Sequence, residues 1–180
     1  QSAREAESLG GSFACAAAGA RHQLMIAVVK DLVPTIREMG YRDVQDIVAI
    51  EGSTYSFPWT ETIFRDCLLA GYVSVVLEHA GQTQGYAIMS LAAVEAHLLN
   101  LCVAERLRRR GFGRRLLQHL LGQAQSAGAQ QIYLEVRPTN HAALELYGKA
   151  GFVELGIRQN YYRSLASRED AKVLVRRLVG

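Results

Sequence analysis

The sequence predicts a single domain of mixed α/β class, with about seven strands interspersed with helices. From Val33 onward, segments with strand periodicity alternate with segments of helical periodicity. The 180 residues are enough for one domain with a substantial core and few for two. A composition of 49% hydrophobic and 21% charged residues is that of an ordinary globular protein.

The individual elements follow from local patterns. Alternating or clustered apolar residues predict strands at 35–41, 72–79, 85–94, 96–104, 130–137, 152–162 and 170–179. Apolar residues at helical spacing predict helices at 43–55, 59–70, from Phe112 to a stop at Gly128, and 141–150. The segment "GQTQ" (81–84) predicts a hairpin connection. Thr139 or Asn140 is expected to cap the last helix, which Gly151 should end in a left-handed conformation.

Composition and spacing exclude several classes of protein. Cys15, Cys67 and Cys102 are an odd number of widely spaced cysteines, which argues against a disulfide framework or a zinc site and favours a reducing cytoplasm. The five histidines are scattered, so we expect no metal. No apolar stretch is long enough to cross a membrane, and a net charge of +3 does not by itself indicate a polyanion binder.

Residues 1–24 differ from the rest of the chain. They are small and polar with little periodicity, and Glu5 and Glu7 stand where a signal peptide would carry positive charge. We interpret 1–24 as an N-terminal extension, either artificial or disordered. Residues 25–180, from Met25, are then the single domain.

The stretch "ERLRRRGFGRRLLQHL" (105–120) is the strongest local signal. Six arginines surround Gly111 and Gly113, between a predicted buried strand and a predicted helix. Glycines that let the main chain approach closely, together with free amides of a first helical turn, are suited to binding phosphate. The dinucleotide fingerprint and the triphosphate P-loop are both absent, because Leu116 replaces the third glycine and no Gly-Lys-Ser/Thr occurs. On spacing alone, a glycine turn with solvated arginines is the favoured interpretation of the stretch.

Residues Arg108-Arg109-Arg110-Gly111-Phe112-Gly113 match the Arg/Gln-x-x-Gly-x-Gly/Ala signature of the GCN5-related N-acetyltransferases (GNAT), which the chain thus resembles. The resemblance implies a central mixed, mostly antiparallel sheet flanked by helices, with acetyl-coenzyme A as co-substrate and no metal. It implies a pyrophosphate site at the backbone of 109–114 and a pantetheine arm along Leu101, Cys102 and Val103. The Asp-Pro pair usual after that strand is replaced by Ala104 and Glu105.

Three further stretches resemble the ribosomal-protein alanine N-acetyltransferases within that superfamily. They are "FPW" (57–59), "LEVRPTNHAALELYGKAGF" (134–152), and "NYY" (160–162) followed by "REDA" (168–171). This resemblance, over about 35–178, implies acetylation of a protein N-terminus, with the N-terminal alanine of small-subunit ribosomal protein eighteen as the expected target. It implies Glu135 as the base, Tyr147 as the acid, Asn140 as a cofactor ligand, and a peptide groove bordered by Phe57, Trp59 and Tyr162.

Each assignment has a plainer alternative. Glu135 alternates with Leu134 and Val136 and so can face a cleft, but it can equally be a solvent-facing strand residue, and Tyr147 a core residue. The "FPW" cluster can be core packing, and strand alternation allows only one of the two tyrosines at 161 and 162 to face the groove. Cys102 is read as an apolar filler rather than an acetyl carrier. We interpret His97 and His141 as structural.

Three other functions remain as alternatives. They are a broader N-terminal or small-amine acetyltransferase, a non-catalytic binder of RNA or of the ribosome surface, and an inactive cofactor sensor. We expect no direct contact with nucleic acid and no membrane association, and a monomer or weak dimer. An RNA binder would show steeply salt-dependent affinity.

Overall fold

The computed structural model describes residues 33–164 and 168–178; the predicted extension at 1–24 lies outside them. The strands of the described part are β1 (Thr35–Glu38), β2 (Val73–His79), β3 (Gln82–Ala92), β4 (Glu95–Val103), β5 (Gln131–Val136), β6 (Val153–Arg163) and β7 (Arg168–Arg177). Its α-helices are α1 (Val44–Thr54), α2 (Glu61–Leu69), α3 (Phe112–Ser126) and α4 (His141–Lys149). Every predicted helix and strand is therefore present, with ends shifted by a few residues.

The strands form one sheet in the order β1-β2-β3-β4-β5-β7-β6. All neighbours are antiparallel except β4 and β5, which run parallel. This confirms the mixed, mostly antiparallel sheet of seven strands. The parallel pair requires a crossover, and α3 supplies it.

Helices cover both faces of the sheet. On one side, which we call the α3 face, the apolar residues of α3 and α4 pack with Leu98, Leu134 and their neighbours. On the other side, which we call the α1 face, the apolar residues of α1 and α2 pack with Tyr86, Ile88 and Cys102. The α3 residues predicted to be apolar and inward are all buried: Phe112, Leu116, Leu117, Leu120, Leu121 and Ala124. Burying each such leucine contributes roughly 1.5–3 kcal/mol, so the crossover helix is firmly attached.

The first hairpin differs from the prediction of a "GQTQ" connection. Its turn is only Ala80–Gly81, both at positive φ (53° and 70°), and Gln82 already pairs with His79. Two-residue turns of this kind match the twist of the flanking strands. The glutamines looked like loop residues because they are polar. In the structure Gln84 is buried and accepts hydrogen bonds from the Arg106 guanidinium at 3.0 and 3.2 Å.

The expected helix ends are confirmed around α4. The Asn140 side chain accepts a hydrogen bond from the Ala143 amide at 3.2 Å, so Asn140 rather than Thr139 is the N-cap. Gly151 follows the helix at φ 83°. The first predicted strand is shorter than expected, because residues Tyr41–Asp43 form a 3₁₀ turn. Within 33–164 and 168–178 no helix is both long and apolar enough to cross a membrane.

Candidate active site

The sheet splits between its two parallel strands. Pairing of β4 with β5 runs from Glu95 opposite Gln131 to Leu98 opposite Leu134 and stops there. We call this point the fork. Beyond it the two strands separate, and a cleft of about 740 Å³ opens. Its walls include Leu101–Val103 of β4 on one side and Arg137 and Asn140, beyond β5, on the other. A split sheet exposes the backbone of β4 to a ligand that lies along it.

The glycine turn lies at one end of this cleft. Arg109 and Gly111 both have positive φ (63° and 83°), and Gly111 directly precedes the first residue of α3. A non-glycine residue in this conformation is strained by about 1–2 kcal/mol, so the surrounding structure imposes the bend at Arg109. Gly111, Gly113 and Arg114 line the cleft. The free amides in the first turn of α3, at the positive end of the helix dipole, thus lie beside the cleft.

The arginine cluster divides into two groups. Three members are bonded to the fold: Arg106 to Gln82 and Gln84, Arg108 to the Val103 carbonyl and Thr54, and Arg115 to the Pro34 carbonyl. Arg109, Arg110 and Arg114 donate no hydrogen bond to any described residue, and Arg109 and Arg114 line the cleft. The cluster is therefore only partly available to a ligand, which argues against a broad polyanion surface.

Most of the predicted cofactor ligands meet in this one cleft. Its lining contains Leu101, Cys102, Val103, Arg108, Arg109, Gly111, Gly113, Arg114 and Asn140. Arg110 and Phe112 do not line it. The Phe112 side chain is buried in the core, with its ring centroid 5.6 Å from that of His79.

Glu135 is the first residue of β5 beyond the last paired position at the fork. Its neighbours Leu134 and Val136 pack on the α3 face, so its side chain lies on the α1 face. One carboxylate oxygen lies 2.5 Å from His97 Nε2 and the other 2.5 Å from Arg158 Nη1. The hydrogen bond to His97, opposed by burial and assisted by Arg158, lowers the pKa of Glu135. At neutral pH this residue is an ionised, tightly held carboxylate.

Tyr147 is buried on α4, with its ring 5.6 Å from the ring of Phe152. Its hydroxyl forms no hydrogen bond with any described residue. The hydroxyl oxygen is not completely enclosed by protein atoms. Burial first, and the neighbouring Cys102 thiol second, raise the pKa of Tyr147. The phenol therefore keeps its proton at neutral pH and has hydrogen-bonding capacity to spare.

The two predicted tyrosines of the "NYY" segment do not alternate. Asn160 has φ 53°, and the β6–β7 register shifts between Arg158 and Tyr162. The Tyr161 and Tyr162 rings consequently pack edge to face with centroids 4.9 Å apart. The expectation that they point to opposite faces is wrong, because a bulge interrupts the strand. The Arg137 guanidinium lies 4.3 Å from the Tyr162 ring centroid and ties this segment to the end of β5.

The "FPW" segment joins α1 to α2 on the α1 face. Phe57 is exposed, and Trp59 packs with its ring 5.6 Å from Phe64. Neither residue lines the cleft, and nor does Tyr162. The loop is held by Glu51, a buried carboxylate that accepts hydrogen bonds from the Trp59 amide (3.1 Å) and from the Tyr86 hydroxyl.

Sequence reasoning missed three residues of this region: His97, Glu51 and Tyr55. His97, interpreted as structural, is bonded to Glu135. Glu51 lies on the apolar face of α1, at helical spacing from Val44 and Ile47, so a polar residue in a core position could have been noticed. Tyr55 lines the cleft, and burial followed by Cys102 raises its pKa.

Among the described residues, no group of three His, Cys, Asp or Glu side chains is arranged to hold a metal.

The split parallel pair and the glycine turn at the start of α3 both lie within residues 44–152. Residues 44–152 match the model of the Acetyltransferase (GNAT) family, and the chain belongs to that family. It is an N-acetyltransferase, of a family that uses acetyl-coenzyme A.

Its relatives include the [ribosomal protein bS18]-alanine N-acetyltransferase of Escherichia coli (strain K12). That protein is 36% identical over 140 residues, which are 78% of this chain and 95% of the relative. The crystal structure of the ribosomal-protein-S18-alanine N-acetyltransferase from Escherichia coli superposes with a TM-score of 0.77 at 34% identity, covering 81% of this chain and 94% of that one. Ard1 from Thermoplasma volcanium superposes with a TM-score of 0.74 at 28% identity, covering 83% and 100%.

Proposed function

We propose that this protein transfers the acetyl group of acetyl-coenzyme A to the α-amine of a protein N-terminus, with the terminal alanine of ribosomal protein bS18 as its physiological target. The observation that carries the proposal is the cleft that opens beyond the fork, with the glycine turn at its end and Glu135 at the fork itself. The relatives that span most of the chain support the choice of target.

The cleft residues fit the co-substrate. A diphosphate is suited to the first-turn amides of α3, with the guanidinium groups of Arg109 and Arg114 beside it. The free edge of Leu101–Val103 can pair with an amide-containing arm, and Asn140 lies on the opposite wall. Acetyl-coenzyme A supplies an activated thioester. Every other contribution comes from the chain's own backbone and side chains.

Two side chains provide proton transfer. An α-ammonium must lose a proton before it can attack, and the departing sulfur must gain one. We assign the base function to Glu135, at the fork, acting together with the side chain bonded to its carboxylate, and the acid function to Tyr147, whose phenol is protonated and has no hydrogen-bond partner among the described residues. Phe57 and Trp59 lie in the loop between α1 and α2, Tyr162 lies on β6, and all three are proposed to border the incoming peptide.

We further propose that the protein acts in the cytoplasm, as a monomer or weak dimer. Both described cysteines, Cys67 and Cys102, are free thiols, consistent with a reducing compartment. The proposed substrate, a ribosomal protein, would be encountered in the same compartment.

Mass spectrometry of peptides incubated with acetyl-coenzyme A tests this function. A peptide that begins with alanine and carries an internal lysine should gain one acetyl group, located on the α-amine. The same peptide with a blocked N-terminus is the matched control and should stay unmodified. Acetylation of lysine in the blocked peptide would contradict the proposal. Equal rates for peptides with many different first residues would favour the broader acetyltransferase.

A further inference from the structure

We propose that His97 is the group that accepts the proton of the substrate's α-ammonium, and that Glu135 acts by orienting the His97 ring. This deepens the proposed function and rests on it. The base is then a histidine–carboxylate pair across the fork, in place of a lone carboxylate.

The position of His97 follows from the register of the sheet. Its neighbours Ala96 and Leu98 pack on the α3 face, so the His97 side chain lies on the α1 face, as does that of Glu135. His97 is paired in register with Tyr133, two residues before Glu135. The pair bridges β4 and β5 at the last paired positions before the strands separate, where the reacting end of a ligand lying along β4 would arrive.

Glu135 is poorly placed to hold a proton itself. Both of its oxygens face a nitrogen donor at 2.5 Å, one from His97 and one from Arg158. Protonation of either oxygen would disrupt one of these charge-assisted bonds. Its lowered pKa expresses the same preference for the ionised form.

His97 has the properties that Glu135 lacks. The ionised carboxylate requires a proton on Nε2, so a neutral ring carries its lone pair on Nδ1. No described residue is hydrogen-bonded to Nδ1, and the side chain is 36% exposed. Imidazole is suited to exchanging protons near neutral pH. The charged or titratable neighbours are Glu95 on β4, Tyr133 and Glu135 on β5, and Arg158 on β6; the β3 partner, Ser90, does not titrate.

The step is a simple proton transfer. An N–H bond of the ammonium breaks and an Nδ1–H bond forms on His97, directly or through one water, leaving the amine with a free electron pair. The imidazolium that results is stabilised by the Glu135 carboxylate and returns its proton to solvent through its exposed edge. Arg158 holds the second carboxylate oxygen and keeps Glu135 in place during this exchange.

The variant His97→Gln separates proton transfer from positioning. The glutamine amide can still donate to Glu135 but accepts no proton. We expect kcat/KM for an alanine-starting peptide at pH 7 to fall about 100-fold, within the range of general-base catalysis, with coenzyme A affinity unchanged. His119→Gln, on α3 and bonded to Gln123, is the matched control and should keep the wild-type rate.

The pH profile gives a second readout that a structural role would not change. The acid limb of kcat/KM should move upward in His97→Gln, to about pH 8, where the substrate's own α-amine loses its proton. Added imidazole should partly restore His97→Ala and should have no effect on the wild type.

Two failures are distinguishable. If the wild type does not acetylate the peptide, the proposed function fails. If the wild type is active and His97→Gln keeps its rate and pH profile, only the role of His97 is wrong, and Glu135 is the base by itself.

Discussion

The variant Gly113→Trp is expected to lose binding of coenzyme A, with its dissociation constant raised more than about 100-fold, or at least roughly 2.7 kcal/mol. Gly113 lines the cleft in the first turn of α3. An indole at this position would occupy the space beside the first-turn amides that we assign to the diphosphate. Isothermal titration calorimetry with coenzyme A measures the effect directly.

Two matched variants control for damage to the helix. A Cβ at Gly113 would lie 3.5 Å from Leu146 and 3.9 Å from Leu101 and Val103, which is ordinary contact. Gly113→Ala should therefore fold and bind with less than about a tenfold loss, while helix propensity favours alanine by about 1 kcal/mol. Gly122→Trp, on the same helix with nothing within 4 Å of its Cβ, should bind normally. Normal coenzyme A binding by Gly113→Trp would show that the diphosphate lies elsewhere.

The variant Tyr147→Phe is expected to lower kcat by about 10²–10³, the usual scale for loss of a general acid. The substitution removes only a hydroxyl that is not hydrogen-bonded to any described residue, while the ring keeps its packing on Phe152. The free energy of unfolding should therefore change little. Affinity for coenzyme A should also stay close to that of the wild type, since Tyr147 does not line the cleft.

Steady-state kinetics together with urea unfolding measure both expectations. Tyr72→Phe, at an exposed position immediately before β2, is the matched control and should be fully active. A Tyr147→Phe enzyme with wild-type kcat would remove this residue from the mechanism. A variant that is slow because it is unstable would show a lowered unfolding midpoint, which the proposed role does not predict.

Local patterns predicted the elements of the fold well, because one buried face decides most of them; β6, whose residues are largely exposed, is an exception. In α3 the predicted apolar positions, Leu116 and Leu120 among them, are all buried. In β5 the alternation of Leu134 with Glu135 is reproduced residue by residue. Such patterns report which side of an element meets the core, and this preference holds in any arrangement of neighbours.

The features that failed or were missed depend on how the strands pair and on which side chains they bring together, which local patterns do not report. His97 and Glu135 are 38 residues apart and meet only because β4 and β5 pair in parallel at this register. The packing of Tyr161 on Tyr162 depends on a bulge beside Asn160, which strand periodicity does not reveal. The division of the arginines into two groups was likewise not predictable. Arg106 is bonded to Gln84 on β3, and charge alone does not show which arginines are hydrogen-bonded to the fold.

A crystal structure of the protein with acetyl-coenzyme A tests the central claim most directly. The diphosphate oxygens are predicted to lie within about 2.7–3.2 Å of backbone nitrogens in the first turn of α3, with the pantetheine arm along Leu101–Val103 and the thioester near the fork. A ligand bound away from the glycine turn, or a thioester remote from Glu135 and His97, would contradict it.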